Sequence, residues 1–323
     1  MRALKCLLTI LGASLASAVH GAVPAYTQIG SFTIGFGPWD IGPDGLVYRV
    51  SGSDILREDA VNGSTYTKIG SLQPGEISSY GASFLRVSPD GSKLAIGDGQ
   101  FSSAASVHIV NVAALNPAAP SADTSITSPN FDAAWNGNNA LFVTGARSSD
   151  FTPIVNQIDL GPSPSLQTII TGAGQASGGI AIRSGTLFTG SGYLPTGQIR
   201  SFSLGGLGGA AIEFSTGTLV ATVLSASPLG FDGFGNLLVG GGDSFSGTSD
   251  IGYAAVLSLD DPGTILKLSP AGSDTLYAPE FNPVTQELVV YDTDTGIAYR
   301  YAIPGPASGA ILVLGLFARK RRR

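Results

Sequence analysis

The chain repeats one pattern of hydrophobic and polar positions, in which two short apolar or alternating stretches flank a small polar turn. Clear copies are Trp39–Tyr48 and Phe231–Val239. The turn is Asp-Gly, Asn-Gly or a close variant in most copies, and these residues favour tight hairpins because they tolerate positive φ. The turn positions are 45, 91, 137, 185, 235 and 286, so successive turns lie 46 to 51 residues apart. The pattern therefore predicts six β-hairpins in a repeat.

A period of this length with about four strands is typical of a β-propeller blade. A third strand follows most hairpins, for example Ser106–Val110 and Ile297–Tyr301. The stretch Tyr26–Phe32 nearly repeats Tyr66–Leu72, which is the outer strand of the first blade. Because the last blade runs out of chain after three strands, we expect Tyr26–Phe32 to complete it and close the ring. A β-sandwich is the alternative, but it explains neither the period nor the duplication. The predicted fold class is all-β, a six-bladed β-propeller over residues 23–303.

The first 22 residues have the three parts of a secretory signal peptide. Arg2 and Lys5 form a basic start, Leu7–Leu15 is apolar, and Ala16-Ser17-Ala18 fits a small-residue cleavage site. The apolar run is too short to span a membrane. We therefore expect Met1–Ala22 to be removed by signal peptidase and the rest of the chain to pass through the export machinery.

The last 20 residues, 304–323, form a second segment of this kind. Two prolines precede an apolar stretch, Ala307–Ala318, which as a helix would be about 18 Å long against a hydrocarbon core of about 30 Å. We expect a short C-terminal hydrophobic helix that makes transient membrane contact, less than a full transmembrane helix, with its basic end cytoplasmic. A frayed hydrophobic tail is the alternative. The predicted sorting motif consists of Pro304, Gly305, Pro306, Arg319, Lys320, Arg321, Arg322 and Arg323.

This order of prolines, apolar residues and arginines resembles the PEP-CTERM sorting signal of exported bacterial proteins. The resemblance covers Ile303–Arg323 and departs at Gly305, where the family usually has Glu. It implies recognition and cleavage by a membrane exosortase. In the body, Phe231–Val239 and Phe281–Pro283 resemble blades of NHL and SMP-30/gluconolactonase-like six-bladed propellers. Such blade patterns reflect packing and turn chemistry, so they carry little information about function.

Charge and residue usage exclude several classes of function. The two ends hold seven of the 17 basic residues and none of the 23 acidic ones, so the body has a formal charge of −13. A body this acidic repels phosphate backbones, which disfavours nucleic-acid binding. Cys6 and His20 lie in the predicted signal peptide, which leaves His108 as the one histidine of the body. Disulfides, thiol nucleophiles, cysteine-based zinc sites and multi-histidine clusters are therefore excluded, and we interpret His108 as a strand residue rather than a general base.

Five aspartates are candidate metal ligands. Asp98, Asp243 and Asp292 follow second strands of their blades, and convergent carboxylates there would suit Ca²⁺, which takes six to eight oxygen ligands. The alternative is that each of these side chains caps its own turn. Asp40 and Asp132 both lie five residues before a turn glycine, so they are expected to open the innermost strand near the channel.

These observations favour an exported protein of the cell envelope, cell surface or extracellular matrix. Its propeller is expected to act as a non-catalytic binding or structural module, with a polysaccharide or an envelope protein as its partner and without a cofactor. The alternative hypothesis is a metal-dependent lactonase or hydrolase of the SMP-30 type, with carboxylates at the propeller axis.

Overall fold

The structure is a computed structural model, and it describes residues 25–100, 102–121, 123–172, 177–191, 197–223, 228–241, 252–261, 265–269 and 275–303. The predicted signal peptide Met1–Ala22 and the predicted sorting tail 304–323 lie outside these residues. No helix in the described ranges is long and apolar enough to cross a membrane.

The body is a six-bladed β-propeller, as predicted, and each blade is built on four strands. Blade 1 consists of β2 Trp39–Ile41, β3 Val47–Ser51, β4 Asp54–Glu58 and β5 Tyr66–Ser71, blade 2 of β6 Ala82–Val87, β7 Lys93–Asp98, β8 Ser106–Asn111 and β9 Asp123–Thr127, and blade 3 of β10 Asp132–Asn136, β11 Ala140–Ala146, β12 Pro153–Asp159 and β13 Ser165–Thr171. Blade 4 and its insertion consist of β14 Ser177–Arg183, β15 Thr186–Ser191, β16 Gly197–Ser203, β17 Ile212–Glu213 and β18 Thr218–Val223, and blade 5 of β19 Leu229–Phe231, β20 Leu237–Gly241, β21 Tyr253–Leu257 and β22 Ile265–Lys267. Blade 6 consists of β23 Tyr277–Asn282, β24 Glu287–Asp292 and β25 Ile297–Ala302, together with the N-terminal strand β1 Thr27–Thr33. Short 3-10 turns lie at Val112–Ala114, Leu204–Gly206 and Phe214–Thr216.

All six predicted turn positions have positive φ, which confirms the hairpin assignment. Five of them are glycines, which adopt this conformation without a steric penalty. The sixth is Gln286, whose φ is 57°. The repeat therefore preserves a backbone conformation even where it does not preserve glycine.

The N-terminal strand closes the ring, which confirms the prediction from the duplicated sequence. β1 pairs antiparallel with β25, in a register that joins Thr27 to Ala302 and Thr33 to Ile297. Blade 6 thus takes three strands from the end of the body and its outer strand from the beginning. This pairing removes the open sheet edge that blade 6 would otherwise present.

Blade 3 differs from the expected four strands. The insertion between β16 and β18 contributes β17, which pairs parallel with β13 as a fifth strand. The physical reason is burial: Ile212 and Phe214 of the insertion pack on a cluster that contains Ile169, Ile170 and Phe202. The insertion therefore covers the junction between blades 3 and 4.

The hydrophobic core is distributed around the ring in six clusters, one at each junction between neighbouring blades. At the junction of blades 1 and 2, for example, Val50 and Ile55 pack with Leu85, Leu94 and Ile96. Burial of these faces against each other holds the blades in a ring and fixes the positions of the inner strands that line the axis.

Candidate functional site

A cavity of about 330 Å³ lies at the propeller axis. It is formed by the first residues of the inner strands and by the segments that lead into them, including Phe36–Trp39, Ala82–Arg86 and Leu276–Glu280. The Asp-Gly hairpins connect the other ends of these strands, so the cavity opens on the face opposite the hairpins. We call this cavity the axial pocket.

Aromatic side chains make up much of the wall of the axial pocket. Trp39, Phe84, Phe131 and Tyr291 line it, and Trp39 meets Tyr291 edge to face with ring centroids 5.5 Å apart. The Tyr291 hydroxyl donates to the Gly35 carbonyl over 2.8 Å, which holds this ring in place. Phe36, by contrast, is 64% exposed and lies at the pocket mouth. The wall therefore combines fixed rings with one accessible ring.

A charged cluster shares the same cavity. Nη2 of Arg86 lies 2.6 Å from Oδ1 of Asp132, and Nη1 lies 3.2 Å from Oε1 of Glu280. Nε of Arg86 donates to the Ala133 carbonyl over 3.0 Å. One guanidinium from blade 2 thus connects the inner strands of blades 3 and 6.

Three of these axial side chains occupy equivalent positions and join neighbouring blades. Asp40, Arg86 and Asp132 each lie five residues before the turn glycine of their own blade. Oδ2 of Asp40 accepts the Val87 N–H of blade 2 at 2.7 Å, and Oδ2 of Asp132 accepts the Ile180 N–H of blade 4 at 3.2 Å. These side chains therefore link each of blades 1 to 3 to the blade that follows it.

Burial dominates the electrostatics of this cluster. It raises the pKa of the Asp40 carboxyl to about 6, although the Arg86 guanidinium and two backbone N–H donors act in the opposite direction. It raises the pKa of Glu280 to about 8 and also raises the pKa of Asp132. Burial alone would lower the pKa of Arg86, but the three surrounding carboxyls together raise it above its ordinary value. A single permanent cation is thus shared among three carboxyls.

The other predicted acids have different environments. Oδ1 of Asp98 accepts the N–H groups of Ser78 and Gln100 at 3.1 and 3.2 Å. Oδ1 of Asp292 accepts the N–H groups of Asp294 and Thr295 at 2.9 and 3.1 Å. Both carboxylates therefore cap loops, which is the alternative that the sequence left open.

Asp243 lies outside the described residues. Of the four predicted acids that the structure does describe, no three bring ligand atoms within 4.8 Å of one another. The group that meets this criterion among the described residues is Glu76, His108 and Asp123.

Sequence reasoning missed Arg86, Glu280 and the partners of His108. The signal for Arg86 was present, because it has the same spacing to its turn glycine as Asp40 and Asp132. Glu280 lies six residues before Gln286, one step out of that spacing. His108 is a strand residue of β8, as predicted, but it is buried and its ring lies against Asp123 of β9.

No protein-family model matches this chain, and no curated protein matches it. Solved structures do match. A chain from the crystal structure of the mitotic checkpoint complex is 14% identical, with a TM-score of 0.53 over 89% of this chain and 98% of that chain. A chain of the nidogen/laminin complex is 14% identical, with a TM-score of 0.52 over 80% and 93% of the two chains. The structure of putative TolB from Agrobacterium tumefaciens is 16% identical, with a TM-score of 0.51 over 88% and 100%. At these identities the likeness shows the β-propeller fold alone.

Proposed function

We propose that this protein is an exported, non-catalytic binding module of the cell envelope or extracellular matrix, and that its axial pocket holds a saccharide unit of an envelope polysaccharide. The observation that carries the proposal is the combination, in one cavity of about 330 Å³, of aromatic walls with hydrogen-bonding groups from Arg86, Asp132 and Glu280. A few polar groups placed in an otherwise apolar cavity of this size are typical of small-ligand sites.

A saccharide suits this chemistry because it has two kinds of surface. Its C–H faces can pack on the accessible ring of Phe36, and its hydroxyls both donate and accept hydrogen bonds. Because its pKa is raised to about 8, the Glu280 carboxyl largely keeps its proton at neutral pH. It can therefore both donate a hydrogen bond to a sugar hydroxyl and accept one from it. The acidic body also favours a neutral or cationic ligand over an anionic one.

The engagement of the axial carboxylates favours binding over metal-dependent hydrolysis. Both oxygens of Asp40 accept backbone N–H groups, those of Ile41 and Val87. Asp132 is bonded to Arg86 through one oxygen and to the Ile180 N–H through the other. A catalytic divalent ion at this position would have to displace the guanidinium and break bonds that join the blades.

Calorimetric titration with soluble oligosaccharides of the host envelope tests the binding proposal. Phe36→Ala removes the exposed ring at the pocket mouth, and we expect it to weaken binding roughly ten-fold, which corresponds to about 1.4 kcal/mol. Phe234→Ala is the matched control, because Phe234 is 48% exposed on the hairpin face, away from the pocket. Equal affinities for both variants and the unmodified chain would overturn the proposal, and so would turnover of lactone or ester substrates.

The export proposal rests on the two ends of the sequence and needs a separate test. Met1–Ala22 has the features of a signal peptide, and Ile303–Arg323 those of a sorting signal cut by an exosortase-like enzyme. Terminal sequencing and mass measurement on protein from the envelope fraction are expected to find a start close to Val23 and loss of the arginine-rich end. Protein that remains in the cytoplasm with Met1 intact would contradict the proposal, whatever the pocket binds.

A further inference from the structure

A second site lies away from the axis, at the outer part of the junction between blades 1 and 2. Glu76 belongs to the connection between β5 and β6, His108 to β8 and Asp123 to the outer strand β9. One ligand atom from each side chain lies within 4.8 Å of the other two. The side chains of His108 and Asp123 are 3% and 8% exposed, so bulk water does not surround these groups.

Both nitrogens of the His108 ring face hydrogen-bond acceptors. Nε2 lies 3.1 Å from the backbone carbonyl oxygen of Glu76, and Nδ1 lies 2.6 Å from Oδ2 of Asp123. A carbonyl only accepts, an ionised carboxylate only accepts, and a neutral imidazole carries a single N–H. If Nε2–H donates to the carbonyl, the lone pair of Nδ1 faces the Asp123 carboxylate. Either a proton or a metal cation between Nδ1 and Oδ2 of Asp123 satisfies both atoms.

We propose that these three side chains bind one divalent transition-metal ion of the Zn²⁺ class through Nδ1 of His108 and the carboxylates of Asp123 and Glu76. Imidazole nitrogen and carboxylate oxygen are both zinc ligands, and a site with three protein ligands leaves a fourth position for water. Two ligands at about 2.1 Å from a tetrahedral ion lie roughly 3.4 Å apart, so the Nδ1–Oδ2 distance must open by less than about 1 Å. Ca²⁺ and Mg²⁺ prefer sites made of oxygen alone, so the imidazole selects against them.

The surroundings of these ligands support the assignment. In metal sites the second ring N–H of a histidine ligand usually donates to a carbonyl or carboxylate, which fixes the tautomer, and the Glu76 carbonyl has that position here. Oε2 of Glu76 accepts the Gln73 N–H at 2.6 Å, which orients its carboxylate. Oδ1 of Asp98 accepts the Ser78 N–H and so holds the loop that carries Glu76. Asp98, which the sequence suggested as a metal ligand, thus positions this loop. The ion would clamp this connection to the outer part of blade 2.

The test uses the full chain after chelation, with Cys6→Ser and His20→Gln so that the first 22 residues supply no competing ligand. Calorimetry with ZnCl₂ is expected to show one site per chain, and a thermal scan is expected to show a Tm that rises with zinc concentration. Loss of a group that only hydrogen-bonds to a metal ligand weakens metal binding roughly 10- to 100-fold. His108→Gln removes a ligand itself, so it is expected to weaken zinc binding by more than this. Asp159→Asn is the control, because Asp159 accepts from Gln157 on blade 3, away from the site.

Glu76→Gln serves as a second variant, because Glu76 is only partly buried and its replacement is isosteric. It is expected to lower zinc affinity without preventing folding, even if His108→Gln does not fold. Co²⁺ gives a further readout, since a low-symmetry site with one nitrogen ligand produces strong visible absorption bands that Ca²⁺ does not reduce. Absence of saturable zinc binding would overturn the proposal. An unchanged affinity in Glu76→Gln together with unchanged Co²⁺ bands would overturn it as well.

Discussion

Loss of the Arg86 guanidinium is the perturbation that we predict to damage the propeller most. In Arg86→Met a side chain that is only 13% exposed keeps its apolar stem but loses its charge and its hydrogen bonds. Asp132 and Glu280, 2.6 and 3.2 Å from the guanidinium, and the nearby Asp40 then remain buried without a cation. Removal of one partner of a buried ion pair costs about 3–5 kcal/mol. Since 1 kcal/mol shifts the Tm of a large domain by about 2–4 °C, we expect Tm to fall by on the order of 10 °C at pH 8.

The pH dependence of this cost separates charge from packing. Without the guanidinium, burial raises the pKa values of Asp132 and Glu280 further, so the folded variant takes up protons that the unfolded chain releases. The contribution of such groups to stability is present at low pH and is lost as pH rises through their folded pKa values. The free-energy cost of Arg86→Met is therefore expected to be largest at pH 8 and clearly smaller at pH 5. Chemical denaturation at both pH values measures it.

Two further variants complete this test. Arg57→Met removes an exposed arginine from β4 of the neighbouring blade 1, and we expect a change within about 0.5 kcal/mol. Arg86→Met combined with Asp132→Asn is expected to cost less than the two single changes added together, because the double variant no longer has a buried Asp132 charge without a partner. A cost below about 1 kcal/mol for Arg86→Met at pH 8, or an equal cost at both pH values, would refute the electrostatic account of the axis.

Three further predictions concern single positions. Glu280→Gln is expected to raise the free energy of unfolding at pH 8 and to leave it nearly unchanged at pH 4.5. The reason is the raised pKa of Glu280, which makes the stability of the unmodified chain fall by up to about 1.4 kcal/mol per pH unit between these two pH values. Parallel curves of Tm against pH for the two proteins would contradict this. Gly137→Ala is expected to lower the free energy of unfolding by about 1–2 kcal/mol in a denaturant titration, because φ is +67° at Gly137. Gly161→Ala is the control and should cost nothing, because Gly161 also has free space for a Cβ but is not among the positive-φ glycines. Equal effects would contradict the turn assignment. Phe32→Ala is expected to lower the free energy of unfolding by about 3–5 kcal/mol, because Phe32 belongs to the closing strand β1 and is buried in the cluster at the junction of blades 6 and 1. Ile29→Ala, at a 48% exposed position of the same strand, is expected to cost far less. Similar costs would argue against ring closure by this strand.

The fold could be predicted because its determinants are local and repeated. A hairpin with positive φ needs only a short turn sequence, and six such turns at a regular spacing define the number of blades. Gln286 adopts the same conformation without being glycine, and its position in the repeat still identified it. The duplicated strand Tyr26–Phe32 predicted the pairing of β1 with β25, although the two strands lie at opposite ends of the body.

The charged cluster was only partly predictable, because its contacts join blades that are distant in sequence. The spacing of Asp40 and Asp132 placed them on inner strands, and the structure confirms that placement. That Arg86 reaches Glu280, 194 residues away, depends on how far a side chain extends across the channel, and no repeat pattern encodes that distance. The fifth strand of blade 3 was missed for a related reason, since it belongs to an insertion outside the repeat.

The neighbourhood of His108 shows the same limit at shorter range. The alternating pattern predicted a strand residue, and alternation says nothing about which loop covers that strand. Glu76 comes from a connection outside the hairpin repeat, and Asp123 follows the segment between β8 and β9. The three side chains meet because the junction of blades 1 and 2 brings these connections together.

Hydrogen exchange on the protein, with and without a bacterial envelope polysaccharide, tests most directly the proposal that the axial pocket is the binding surface. We expect slower exchange of backbone amides at Phe36–Trp39, Ala82–Arg86 and Leu276–Glu280, the segments that form the pocket. Little change is expected at the hairpin turns around Gly45 and Gly235, on the opposite face. Protection confined to the hairpin face, or no protection at saturating polysaccharide, would contradict the assignment of the axial pocket as the binding surface.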